Sequence, residues 1–297
     1  MPRWLVSTLL LAGLASGQQA TPPSPQGPPT SSALSQDQIQ ELIRRSADND
    51  LDNDKKQRNY TYTERDEERR LDGKGQTKST ETKTYEVMEL YGEPVQKLVA
   101  KNDKPLSEKD ARKEDDRIQK LIEKRKNESE QDRRKRVEKE EKDREENRRF
   151  VLEVADAYNF HFVGLETLEG RPTYVIDGDP KPGYEPHLKE AKILPKFRFR
   201  AWIDQDDTQW KKLDIQCIDT VSYGLVLARL HKGSRIVIEQ TRINNEIWLP
   251  QHVAVNVDLR VALVKNFDIA VDSTYSNYQK FRAEIRIVPA GEVQEQQ

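Results

Sequence analysis

Residues 253–263 carry the most regular pattern in the chain. Val253, Val255, Val257, Leu259, Val261 and Leu263 alternate with Ala254, Asn256, Asp258, Arg260 and Ala262. A period of two sends successive side chains to opposite faces of a strand, so this segment predicts a strand with one apolar face. The same alternation sets Phe197, Phe199, Ala201 and Ile203 against Arg198, Arg200, Trp202 and Asp204. It returns at Phe267, Ile269 and Val271, and again at Phe281, Ala283, Ile285 and Ile287. Shorter strands are expected at 160–163, 173–176, 210–218 and 235–243. Asp206-Asp207 and Asn244-Asn245-Glu246 read as turns, the second because Asn tolerates positive φ. Upstream, 57–100 reads as a hairpin and its continuation, turning at Asp72-Gly73-Lys74-Gly75 and at Tyr91-Gly92-Glu93-Pro94.

These connections are too short for parallel crossovers, which predicts an antiparallel meander. A sheet with one apolar face needs a cover. One candidate is a helix opening at Ser35-x-x-Gln38, a capping-box pattern, with Ile39, Leu42 and Ile43 as its apolar stripe; this helix is expected to fade at Asp48. Segments 106–122 and 150–157 are the other candidate covers. The fold class expected is α+β, mainly β: a curved antiparallel sheet covered by helices, with room for an apolar cavity between the layers.

Residues 101–149 break the pattern. Of these 49 residues, 35 are charged, 19 basic and 16 acidic. Ser107 to Asp110 offers a helix start, and Ile118, Leu121 and Ile122 form one short apolar seam. Beyond Ile122 only Val137 is large and apolar before Phe150, which excludes a sustained coiled-coil seam. Opposite charges recur at helical spacing, predicting a charged helical insertion that projects into solvent and is held by ion pairs. Over the whole chain 50 basic residues meet 52 acidic ones, for a net charge of −2, which argues against a nucleic-acid partner.

The first residues read as an export signal at 1–17: Arg3, then an apolar run from Leu5 to Leu14, then Ala15-Ser16-Gly17. The run is about half of the 20 residues that a membrane span needs, so no transmembrane segment is expected in the mature chain. Gln18 follows the small residues where a lipid-anchored protein would carry Cys. The localisation expected is therefore periplasmic or secreted. Residues 18–34 are rich in Pro, Gln, Ser and Thr and read as a disordered linker. The folded domain is expected over 35–290, insertion included, with a tail at 291–297.

Little in the chain suggests catalysis. Cys217 is the single cysteine and lies in an apolar run. The four His residues show no metal-ligand spacing, and the 13 Gly residues form no phosphate loop. Asp48 to Asp54 superficially resembles a calcium loop, but positions six and twelve hold Asn53 and Asn59 in place of Gly and Glu. The chain is read as a non-enzyme without cofactor or metal. Candidate ligand-binding residues are Val253, Val255, Val257, Leu259 and Val261 on the apolar strand face, with Trp202 and Trp248 at strand ends.

Several segments resemble a known family. These are residues 165–184 (Leu-Glu-Thr-Leu-Glu-Gly-Arg-Pro-Thr-Tyr-Val-Ile-Asp-Gly-Asp-Pro-Lys-Pro-Gly-Tyr), Phe199 to Asp204, and Gly233 to Pro250 with its Ile-Trp-Leu-Pro ending. Tyr275-Ser276-Asn277-Tyr278-Gln279-Lys280-Phe281 is a fourth. Together they resemble the strands of outer-membrane lipoprotein-sorting proteins, over roughly 150–287. The resemblance implies a half-barrel lidded by helices, in a family of carriers, outer-membrane acceptors and periplasmic sensors. The ligand implied is a lipid or lipoprotein acyl chain. The charged insertion is a departure from the plain carrier, and the carrier's functional arginine has no counterpart by motif. The alternative is a sensor or assembly factor that docks another envelope protein through the charged helix.

Overall fold

A computed structural model of the chain describes residues 34–72, 74–223, 228–261 and 265–280. The expected export signal, the linker up to 33, Leu263 and the strand expected over 281–287 lie outside them. The described strands form one large, open, curved antiparallel sheet with a few helices and no closed barrel. The helix α1 (Gln36–Gln57) comes first. The strands β1 (Tyr60–Leu71), β2 (Thr77–Leu90), β3 (Glu93–Lys101) and the short β4 (Lys104–Pro105) follow as an antiparallel meander. Two charged helices come next, α2 (Glu108–Lys126) and α3 (Glu130–Ala157). A second meander runs through β5 (Tyr158–Leu168), β6 (Arg171–Pro180), β7 (Phe197–Asp204) and β8 (Trp210–Cys217). It continues through β11 (Arg235–Ile243), β12 (Ile247–Val261) and β13 (Lys265–Lys280). The small strands β9 (Val221–Tyr223) and β10 (Ala228–Leu230) hang from β12. The two meanders join where β1 pairs with β13, so the first strand lies beside the last in the middle of the sheet.

The turns follow their residues. Asn244 and Asn245 sit at φ 51° and 57°, as a tight hairpin between β11 and β12 requires. Gly178 on β6 is required by packing: a Cβ there would come within 2.6 Å of the Phe199 ring on β7.

Strand alternation divides the sheet into an inner face, which carries Val253, and an outer face. In register with Val253 stand Ile238, Leu213, Ala201 and Ile176, each on the next strand across. Val255 continues into Ile236, Ile215 and Phe199. These residues pack in one cluster with Ile39 and Ile43 of α1 and with Phe150 and Ala155 of α3. Each buried aliphatic side chain contributes roughly 1.5–3 kcal/mol.

The helices differ from expectation in three ways. The α1 helix does not fade at Asp48 but runs to Gln57, ending on Lys55 and Lys56, which suit the negative end of its dipole. Its acidic stretch is tied to the sheet: Asn49 donates to the Asp207 and Thr208 carbonyls, and Asn53 Oδ1 accepts from the Trp248 amide. The segment expected as a short helix at 150–157 is the last part of α3, which starts at the N-cap Ser129.

The charged insertion is not a free projection either. Arg125 pairs with Glu93 and Glu128, Arg136 pairs with Glu128 at 2.9 Å and donates to the Tyr91 carbonyl, and Glu140 lies 3.7 Å from Arg58. These groups clip the α2–α3 junction to the β2–β3 turn by charge, where the one large apolar residue of the segment, Val137, is left exposed. Ile118 is buried as the expected seam implies, and Asp115 pairs with Lys97, fixing α2 against β3.

Candidate binding face

The five aliphatic candidates share one strand. Val253, Val255 and Val257 are buried on the inner face of β12. Leu259 and Val261 extend the strand in register with Phe267 and Lys265 of β13. Beyond β12 the apolar surface continues onto β13, where Val257 pairs with Ile269 and Val255 with Val271. The main contacts of α1 are with β5, β12 and α3, and those of α2 are with β3. Neither helix has its main contacts on β13 or β1.

The two tryptophans sit elsewhere. Trp202 lies in register with Lys212 and Val175, which places it on the outer face. Its indole donates to Glu166 at 2.7 Å, and the Lys212 ammonium stands 5.4 Å from its ring centre. Trp248 lies by the turn between β7 and β8. It donates to Asp207 at 2.8 Å, with Arg171 and Lys211 each 5.6 Å from its ring centre. Arg171 also grips buried Asp204 through two hydrogen bonds, at 2.5 and 2.7 Å. Trp248 is thus enclosed in a polar network, and neither indole adjoins the valine row.

Residues that sequence reasoning did not single out stand next to that row. Across from β13, the inner face of β1 presents Glu64, Asp66 and Glu68 in register with Tyr275, Ser273 and Val271. Glu64 is only 9% exposed. It accepts from Gln96 at 2.7 Å and from the Tyr275 hydroxyl at 3.4 Å. Asp66 accepts from Ser273 at 2.6 Å. Burial pushes the Glu64 carboxyl up to about 7, helped by repulsion from Asp66 and opposed by its two hydrogen bonds. Burial also raises Asp66, against the pull of Ser273 and of the Lys83 charge. Tyr62 stands 6.0 Å from Tyr275 and 5.2 Å from Tyr278, ring centre to ring centre, so three phenol rings border the carboxylates. A signal for the acids was present: continuing the alternation of Tyr60 and Tyr62 places an acid at every second position through Glu68.

A second buried carboxylate, Asp50 on α1, is raised to about 6 by burial and accepts from Gln209 and Gln240 at 3.3 and 3.2 Å. It joins α1 to the β7–β8 connection and to β11. Cys217 is buried, and its thiol is raised by burial, which suits packing better than nucleophilic chemistry. Among the described residues no group of His, Cys, Asp and Glu is arranged to hold a metal ion, and no helix is long and apolar enough to cross a membrane.

No protein-family profile matches the chain, and no curated protein does. Among solved structures, the chain is similar to a domain described as an outer-membrane lipoprotein-sorting protein domain from Vibrio parahaemolyticus. The two share 10% identity over 82% of this chain and 95% of that one, with a TM-score of 0.32. A LolA superfamily protein from Nitrosomonas europaea shares 9% identity over 82% and 93%, with a TM-score of 0.29. A DUF1329 family protein from Desulfovibrio piger shares 11% over 80% and 93%, with a TM-score of 0.29. Likeness at this level says nothing about what this chain binds.

Proposed function

We propose that this chain is an extracytoplasmic binding protein that takes up an apolar chain, of a lipid or a lipoprotein, on the inner face of its sheet. The observation that carries the reading is the continuation of the apolar inner face from β12, which α1 contacts, onto β13, which lies away from the main contacts of both α1 and α2. The strand resemblance over 150–287 supports the same ligand class, and the apolar run from Leu5 to Leu14 supports export. The mechanism is burial of acyl methylenes, each contributing about 0.8 kcal/mol. It requires no reacting group, and the role is binding rather than catalysis.

Native mass spectrometry of protein purified from its own envelope tests this directly. Co-purified lipid or acylated protein, lost on substituting Val271 by Asp in a variant that still folds, is the expected result. A chain that emerges bare, and binds no added amphiphile, ends the reading.

A second reading has its own observation. The side chains of Glu108, Arg112, Glu130 and Arg134 are 78–92% exposed, so the charged helices keep an accessible face despite being clipped to the sheet. That face supports docking of another envelope protein. Capture of a defined partner that survives loss of lipid occupancy, and fails when Arg112 and Arg134 are reversed to Glu, would favour it.

A further inference from the structure

The sheet ends in two edge strands that are built differently. At one end β4 is two residues long, Lys104-Pro105, and α2 packs on β3 beside it. Short length, a lysine and a residue without an amide donor all keep a sheet edge from pairing with another chain. At the other end β5 runs for 11 residues and, among the described strands, pairs only with β6. It has no Lys, Arg or Pro, and its one acid is Glu166. Val163 and Leu165 on it are 49% and 50% exposed. Side chains meet three of its carbonyls, those of Phe160, Glu166 and Leu168, from Gln36, Thr173 and Lys211. No described strand meets its free row of backbone groups, which is a template for pairing.

A bulge between Phe162 and Gly164 shifts the phase of β5. Before it, Phe162 lies in register with inner-face Ile176, and His161 with outer-face Asp177. After it, Leu165 is in register with Tyr174 and Ile203, inner again, while Glu166 accepts from outer-face Trp202. A regular strand laid residue for residue along this edge falls out of phase past the bulge. A second copy carries the same extra residue. Two β5 strands set antiparallel, with a two-fold axis between Val163 and Gly164, stay in phase. Phe162 then falls opposite Leu165 on the inner face and His161 opposite Glu166 on the outer, each pair occurring twice. Imidazole keeps an N–H donor in either protonation state, so it complements the carboxylate. Val163 meets Gly164, which has no side chain to clash. We infer that β5 is the interface of a symmetric dimer, in which it pairs in this register with β5 of a second copy. The dimer forms whether or not an apolar chain occupies the inner face.

Sedimentation velocity on the purified chain, over a series reaching about 100 μM, should show a reversible dimer. Leu165→Lys sets two ammonium groups into the paired strands and should weaken it at least about tenfold. Leu165 is half exposed, so the monomer should keep its Tm. The register is read by cross-linking. His161→Cys/Glu166→Cys should give a disulfide-linked dimer on mild oxidation, because the two positions lie about 16 Å apart within one strand and cannot bridge there. Asn159→Cys/Glu166→Cys, which a register two residues away would bring together, should not link. A chain that is monomeric at every concentration would overturn the inference and leave the edge to a strand of another protein. So would a dimer that Leu165→Lys leaves within about twofold, or failure of the first cysteine pair to link. Linking through the second pair instead would overturn the register and the complementarity on which the inference stands.

Discussion

Two sets of acids, one on each face of the same sheet, are held in opposite ways. On the outer face each acid of a cross-strand ladder has a cation on the neighbouring strand: Asp177 with Arg200 at 2.6 Å, Asp214 with Arg235 at 2.7 Å, Glu239 with Lys212 at 2.6 Å. His252 adds to the ladder between Glu239 and Asp272, at 3.3 and 3.0 Å. On the inner face Glu64 is buried, and both it and Asp66 have only neutral hydrogen-bond donors. The outer pairs look the more secure, yet they are partly solvated and each contributes little. The inner acids make fewer contacts, but their surroundings control the energy of their charge. Exposure, more than the number of partners, sets how much a charged side chain matters here.

Four substitutions rank that contrast. Val255→Asp places a new carboxylate in the inner face at a position 4% exposed, with no cation to receive it. We expect a loss on the order of 4 kcal/mol or more in urea unfolding, and loss of ligand with it. A loss under about 1 kcal/mol would show that water already reaches this row.

The second concerns pH. Glu64 titrates near 4.5 when unfolded and at about 7 when folded, so the folded chain holds a proton that the unfolded chain releases. That contribution is complete below pH 4.5 and is lost as pH rises through 7. Relative to Glu64→Gln, the native chain should therefore lose up to about 3 kcal/mol between those limits. The charge that acts on Glu64 is that of Asp66 on β1, which adds to the effect of burial. A stability difference that stays flat with pH would mean the carboxyl is solvated.

The third tests packing with no charge involved. Gly178→Ala drives a methyl into the Phe199 ring and should cost about 1–3 kcal/mol, read as a lowered Tm. Phe199→Leu in the same chain should recover part of it. The smallest effect belongs to the outer ladder. A double-mutant cycle on Asp177 and Arg200, whose side chains are 32% and 42% exposed, should return about 0.5 kcal/mol, shrinking in high salt. A coupling above about 2 kcal/mol would erase the distinction between the faces.

Much of this architecture was legible because it is local. The capping box at Ser35, the caps at Ser107 and the Asn244-Asn245 turn are short-range hydrogen bonding and backbone preference, and they stand where the residues place them. The alternation at Val253 to Val257 was equally legible, since one buried face imposes it. Trp202 was legible in the same way: the alternation that turns Phe199 and Ala201 inward turns Trp202 outward with Arg200. Other features depended on distant partners. The extension of α1 through Asp50 and Asn53 is supported by Gln209, Gln240 and Trp248, which no local pattern links to it. The alternation places Glu64 on a face but does not reveal its burial, because acids at alternate positions of a strand resemble a solvated edge. Only the arrival of β13 alongside β1 makes them buried.

That pairing also bears on how the chain comes to be folded. Asp66 and Ser273 touch across 207 positions of sequence, and the first meander meets the second only through such contacts. The β1–β4 meander can form its own hairpins early, but it stays a detached flap until the last strand has been made and closes a very long loop. Closure over that distance is entropically costly and slow. A chain stopped short of β13 would lose the strand that joins its two halves and would leave two open edges primed for other chains. The two halves of the sheet are therefore joined late, once β13 has left the ribosome or a translocation pore and can reach β1.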